Sequence, residues 1–198
     1  MSATASPVTV APRATGSDTR ARILEVAIEL FYANGIRGIS ADRIIEQVGV
    51  TKVTFYRHFR SKTDLAVAYL EFQAARERQT LENAREGVDA RTALANIAAI
   101  IGGGACSPGF RGCPFINAAA EFADPADPVR LVVDAHRRWT FELFSAIAED
   151  AGASDLDGTA GQLMMLRDGA MVGGYLADGA RVAETLTEAC LAIVDAAR

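Results

Sequence analysis

The chain has 198 residues, half of them apolar and 23% charged, with a formal net charge of -5; this is the composition of an ordinary globular protein able to bury a substantial core, and it excludes collagenous or wholly disordered chains. No apolar run approaches the roughly 20 residues of a bilayer span, and the N-terminus lacks the basic start and apolar stretch of a secretory leader, so no membrane contact and a cytoplasmic location are expected. Three cysteines, Cys106, Cys113 and Cys190, with no C-x-x-C and no histidine close to them in sequence, form neither a disulfide framework nor a zinc site, and no cofactor is expected.

Residues 1–17, MSATASPVTVAPRATGS, are small, polar and aperiodic, and read as a disordered tail. A helical pattern begins at Asp18, with Ile23, Ala27, Leu30 and Phe31 on one side, and stops at Asn34-Gly35. Ser40 is the expected N-cap of a second helix, ADRIIEQV, whose Ile44, Ile45 and Val48 share a face. Gly49 interrupts it. Val50-Thr51 opens a third short helix in which Phe55 and Phe59 lie four residues apart. Three helices within some 40 residues, the last two joined by a tight glycine turn, have the outline of a helix-turn-helix, assigned to residues 18–63.

The remainder, residues 64–198, reads as helices throughout. Asp64 to about Arg85 forms one, behind a Ser61 cap. Ala90 to Ile101 forms the next, and Gly102 to Gly104 are expected to stop it, since no strand precedes them and no G-K-S/T follows, as a phosphate loop requires. A loop, ACSPGFRG, leads to a short helix CPFINAAAEF. Val129 to Ala151 carries a stripe of Val129, Val132, His136, Trp139, Leu143, Ile147 and Ala151, and two further helices cover Leu156 to Ala177 and Val182 to Ala197. No β-strand is expected. The fold class is all-α, with about nine helices.

Charge is unevenly distributed. Residues 1–62 hold nine Lys or Arg against five Asp or Glu, a net of +4, and the rest of the chain a net of -9, which points to a polyanionic partner for the first segment alone. The third helix carries the matching chemistry. With Phe55 and Phe59 buried beside Val48 and Val50, the residues Lys52, Val53, Thr54, Tyr56, Arg57 and His58 fall outside the anchoring face, with Thr51 at the start. They supply cations for guanine or phosphate, hydroxyls for either, and an apolar group for a thymine methyl. Lys62, at the start of the next helix, lies where an ammonium and free N–H groups together hold a phosphate.

The run G-V-T-K-V-T-F-Y-R-H-F-R-S-K-T-D-L, preceded by S-A-D-R-I-I-E-Q-V, resembles the TetR family of one-component transcriptional regulators across residues 20–65. The resemblance implies DNA contact by Lys52, Val53 and Thr54, phosphate or base contact by Tyr56 and His58, and a backbone clamp at Lys62. Arg57 occupies a position that varies in the family, and its assignment as a base reader rests on its chemistry alone. Asp42-Arg43 departs from the family pattern, so a phosphate contact expected at position 42 shifts to Arg43 or to Arg37. The family also implies a homodimer on a palindromic double-stranded DNA operator, and a small-molecule effector that enters the helical core and releases the repressor. Activation, or regulation without an effector, stays open.

Candidate effector contacts are scattered along the core. Cys113, Asn117 and Glu121 recur at i, i+4, i+8 and either face water or line a cavity, with Phe110 before them. His136 and Trp139 adjoin in the long stripe. Phe72, Met165 and Tyr175 complete the set as adaptable or aromatic wall. Cys113 after Gly112 could be a thiol sensor or a core residue, and an enzyme using Cys113, His136 and Glu121 is the rival of another class, although no nucleophile and base stand at a defined spacing. Ala170, Gly173, Gly174 and Ala177 make a small-residue strip that, with Leu186, Ala189 and Ile193, either joins two copies through a four-helix bundle or packs within one chain.

Overall fold

The computed structural model describes residues 16–176 and 179–197. Among them are nine helices and no strand: α1 (Gly16–Asn34), α2 (Ala41–Val48), α3 (Lys52–His58), α4 (Lys62–Arg85), α5 (Ala90–Ala105), α6 (Pro114–Glu121), α7 (Pro128–Asp150), α8 (Leu156–Leu176) and α9 (Gly179–Ala196). Gly16 and Ser17, expected in the tail, open α1 instead. Residues 1–15 and Ala177 lie outside the described residues.

Local chemistry sets the boundaries. Ser40, Thr51, Ser61 and Asp89 each accept a hydrogen bond from the N–H three residues on, at 3.0 to 3.1 Å, and so satisfy a donor the helix start leaves free. Gly49, at φ +73°, closes α2 by donating to Ile45 and Glu46, in the left-handed conformation that glycine adopts without penalty. Arg22 reaches from α1 to give Nη2 to the Val48 carbonyl at 2.9 Å, tying that same helix end down.

Two apolar clusters form the core. The first joins Ile23, Ala27 and Phe31 of α1, Ile44, Ile45 and Val48 of α2, and Phe55 and Phe59 to Leu65 and Tyr69 of α4, and continues into Phe115 and Ala118 of α6 and Val129 and Val133 of α7. The second packs α5, α7, α8 and α9 together through Leu94, Ile97, Phe144, Ile147, Leu163, Leu186 and Val194.

Two expectations need correction. Helix α5 runs straight through Gly102–Gly104 and ends only at Ala105; a Cβ on Gly102 would collide with Ala183, so the glycine is there to let α9 approach, which outweighs its helix propensity cost of about 1 kcal/mol. In α7 the buried line is Val129, Val133, His136, Thr140, Leu143, Phe144 and Ile147, rotated from the expected stripe so that Val132 and Trp139 sit at its half-buried edge. No helix among the described residues is long and apolar enough to cross a membrane.

Candidate functional site

Helix α3 is held by its two phenylalanines. Phe55 is wholly buried and Phe59 nearly so, with ring centroids 6.3 Å apart, and Arg20 lies 4.8 Å above the Phe59 ring. Burying two such side chains contributes roughly 4 to 6 kcal/mol, enough to fix a seven-residue helix that would not persist in isolation. Opposite them, Thr51, Lys52, Val53, Tyr56, Arg57 and Arg60 are exposed, Val53 to 81%.

Several members of the expected contact set differ in detail. Thr51 spends its hydroxyl oxygen capping α3 and lies 2.9 Å from the Thr54 hydroxyl. His58 is half-buried with Nε2 enclosed and without a hydrogen-bond partner, because three residues after Phe55 it falls at the edge of the anchoring face. Lys52 is paired with Asp42, Nζ to Oδ1 2.8 Å, and that carboxylate raises its ammonium pKa further. Arg43 pairs with Glu46 at 3.2 Å. The Lys62 ammonium, lowered by burial, donates to the Arg37 carbonyl at 3.3 Å. Arg37 itself stacks 5.0 Å above the Phe122 ring.

The expected effector residues do not converge on one cavity. Phe110 borders a mainly apolar cavity of about 250 Å³ with Tyr32, Gln73, Glu77, Leu81, Ile101 and Met171. Asn117, Glu121 and Tyr175 border another, of about 310 Å³, under the end of α1. Trp139 lines a separate groove beside Glu82 and Glu142. Phe72 and Met165 are exposed, at 44% and 75%, and line none of these three. Cys113 and His136, both 2% exposed, do not reach them either. Glu121 is occupied: its carboxylate accepts the N–H groups of Ile36 and Arg37. Cys190, also buried, has its thiol pushed up to about 11 by desolvation and is a core group.

His136 belongs to a buried polar cluster that periodicity alone does not reveal. Its ring stacks on Phe115 with centroids 3.7 Å apart, and its Nε2 lies 3.5 Å from Glu77 Oε2. Arg167, only 2% exposed, gives Nη2 to Glu77 Oε1 at 2.7 Å and Nη1 to Asp168 at 3.1 Å, and both nitrogens lie 3.8 Å from Cys113 Sγ. Burial alone would raise the Glu77 carboxyl, but His136 and Arg167 outweigh it and bring it from 4.5 to about 2. The sequence signal for it is the charged pair Arg167-Asp168 inside the apolar run LMMLRDGAM, since an arginine on the buried side of such a helix needs a buried anionic partner.

The small-residue strip also turns inward. Ala170 and Leu186 are buried in the chain's own core, and a Cβ on Gly174 would collide with Ala105. Gly173, Ala189 and Ile193 are half-buried. The outward stripe of α8 is offset by one position: Met165, Gly169, Val172 and Leu176, spaced 4, 3 and 4, with Met165 and Leu176 each about three-quarters exposed. Between this face and α9 lies an apolar groove of about 430 Å³ bordered by Leu166, Gly169, Arg181, Val182 and Thr185.

A capped, glycine-turned three-helix unit that presents a basic aromatic helix on its surface, set on a larger helical body, defines a helix-turn-helix DNA-binding protein. Residues 23–69 match the family model for bacterial regulatory proteins of the tetR family. The whole fold is similar to the crystal structure of a TetR-family transcriptional regulator from Streptomyces coelicolor, with a TM-score of 0.88 and 40% identity, covering 91% of this chain and 96% of that one. A TetR-type regulator from Streptomyces avermitilis gives a TM-score of 0.77 and 30% identity, covering 90% and 97%. An HTH-type transcriptional regulator from Staphylococcus aureus (strain USA300) is 42% identical over 53 residues, 27% of this chain and 29% of that protein, so the match spans less than a third of that curated relative. The chain belongs to the TetR family of transcriptional regulators. It is a DNA-binding regulator and not an enzyme, which removes the reading of Cys113, His136 and Glu121 as a catalytic set.

Proposed function

We propose that the protein is a homodimeric repressor that grips a palindromic operator with two copies of α3 and is released by a small, largely apolar effector. The observation that carries the reading is the outward face of α3: Lys52, Val53, Tyr56 and Arg57 are exposed, Lys52 beside Asp42, on a helix pinned from behind by Phe55 and Phe59. Within this face Arg57 reads a base, Lys52 and Tyr56 meet phosphate or base, and Val53 meets a thymine methyl, while Lys62, at the start of α4, clamps the DNA backbone with the donors that its bond to the Arg37 carbonyl leaves free. The effector occupies the cavity of about 250 Å³ between α4, α5 and the loop before α6, with Gln73, Arg76 and Thr80 beside Glu77 as its polar wall. The dimer forms through the exposed α8 stripe, an apolar surface of the kind that marks an interface.

Fluorescence anisotropy on a duplex selected by the wild-type protein from a random library tests the DNA assignment. Lys62→Ala should weaken all sequences alike, whereas Arg57→Ala should also alter which base is preferred at one position of each half-site. Identical behaviour of the two variants contradicts these roles. The effector assignment has its own test. Gly104 borders the cavity, and a side chain there would meet open space. Gly104→Phe should therefore keep duplex binding and lose release by any compound that releases the wild type; retained release places the effector elsewhere.

A further inference from the structure

We propose that Glu121 is a positioning residue for DNA recognition: carried by α6 in the core, its carboxylate fixes the turn between α1 and α2 and thereby the orientation of the α2–α3 unit. Oε1 accepts the Ile36 N–H at 2.9 Å and Oε2 accepts the Arg37 N–H at 2.5 Å. These two consecutive amides lie past the end of α1, and neither donates to a backbone carbonyl among the described residues. Charge-assisted hydrogen bonds of this kind are the stronger ones.

The surroundings are shaped to the carboxylate. Gly35 adopts φ +81°, where a side chain is strained, and a Cβ there would also stand 2.9 Å from Glu121 Oε1. The Arg37 carbonyl takes the Lys62 ammonium from the start of α4, while the Arg37 guanidinium covers Phe122, the residue after Glu121. Residues 35–37 are thus held from α6 on one side and α4 on the other.

The support behind Glu121 is buried and hydrogen-bonded. Phe115 and Ala118 of α6 are each 1% exposed and lie in the same apolar cluster as Ile44, Phe55 and Phe59. Just before α6, the Gly112 carbonyl accepts from the Tyr32 hydroxyl at 3.0 Å, and that hydroxyl accepts the Arg111 N–H at 2.9 Å. The last turn of α1 and the turn that follows are therefore tied to the α6 segment at both its ends. A recognition helix docked in a groove must hold its angle closely, because small misplacements break several contacts together, and this tie acts on the α1–α2 turn itself, in addition to the packing of α1 on α4.

The test uses the full chain with Glu121→Ala and Glu121→Gln, and the duplex selected by the wild type. Glutamine keeps one acceptor oxygen and loses the other, so it should stand between the parent and alanine. Measured well below the melting transition, duplex affinity should fall about tenfold in Glu121→Ala and about threefold in Glu121→Gln. Hydrogen exchange at the Ile36 and Arg37 amides should accelerate in the same order. The slope of log affinity against log salt should stay unchanged, since no phosphate contact is removed. A side chain that only adds stability would lower the melting temperature and leave the affinity of the folded protein within twofold of the parent; that result, or unaltered exchange at both amides, overturns the proposal. Should the alanine variant fail to fold, the isosteric glutamine variant decides alone, and parental affinity in it is equally fatal.

Discussion

Two side chains set quantities that can be measured at single positions. Asp42 holds Lys52 in an exposed ion pair, which adds little to stability between two solvated side chains and keeps a carboxylate beside a lysine proposed to contact DNA. Asp42→Asn should tighten duplex binding a few-fold and steepen the salt slope by about one counterion, with a melting temperature close to the parent's; a weaker complex would show that Asp42 orients Lys52 instead of occupying it. Glu77 governs behaviour in acid. Its carboxyl binds a proton only near pH 2 in the fold and near the ordinary 4.5 when unfolded, so between those values the unfolded chain holds more protons and acid favours it. The stability at stake, of the order of 3 kcal/mol, is fully present above pH 4.5 and lost as pH falls toward 2. Denaturant unfolding at stepped pH should show this loss in the parent. In Glu77→Gln it should be absent, with the variant already weakened at neutral pH because buried Arg167 has lost one of its two carboxylate partners.

At the scale of helices, periodicity and capping residues located nearly every element. Ser40, Gly49, Thr51 and Ser61 bracket α2 and α3 as expected because a cap is a local interaction, complete within four residues. The triple glycine in α5 shows where such reading stops: a glycine run looks the same whether it ends a helix or admits a neighbour, and only the approach of Ala183, 81 positions later, decides. Gly102→Leu should cost about 1 to 3 kcal/mol by forcing α5 and α9 apart, read as a fall in denaturation midpoint; an unchanged or raised midpoint would mean the crossing is looser than it stands. The same non-locality hid the core chemistry. Nothing near Glu77 in sequence announces Arg167, and the carboxylate of Glu121 looked free for a ligand until the turn at Ile36 came to rest against it. The exposed face of α3 was legible because both its anchor and its chemistry lie within nine residues; His58, expected outside the anchoring face, lies half-buried at its border.

Across the whole molecule, the charge division seen in the sequence follows the fold, a net basic helix-turn-helix segment on an acidic helical body. A small-residue strip was visible on α8 and α9, yet the face left bare is the neighbouring one, because Gly174 and Ala170 are consumed by packing against α5 and the core. Val172→Asp together with Leu176→Asp should therefore convert the protein to monomers in sedimentation equilibrium without lowering its helix content, and weaken duplex binding by at least tenfold through loss of the second half-site. Retained dimers would move the interface off α8. The most direct measurement of all is a footprint of the protein on its selected duplex. Two protected major-groove patches should appear, related by a two-fold axis and centred about 34 to 36 Å or a multiple of that apart, and both should vanish in the Tyr56→Ala, Arg57→Ala double variant. Protection without two-fold symmetry, or protection that survives those changes on α3, contradicts the reading.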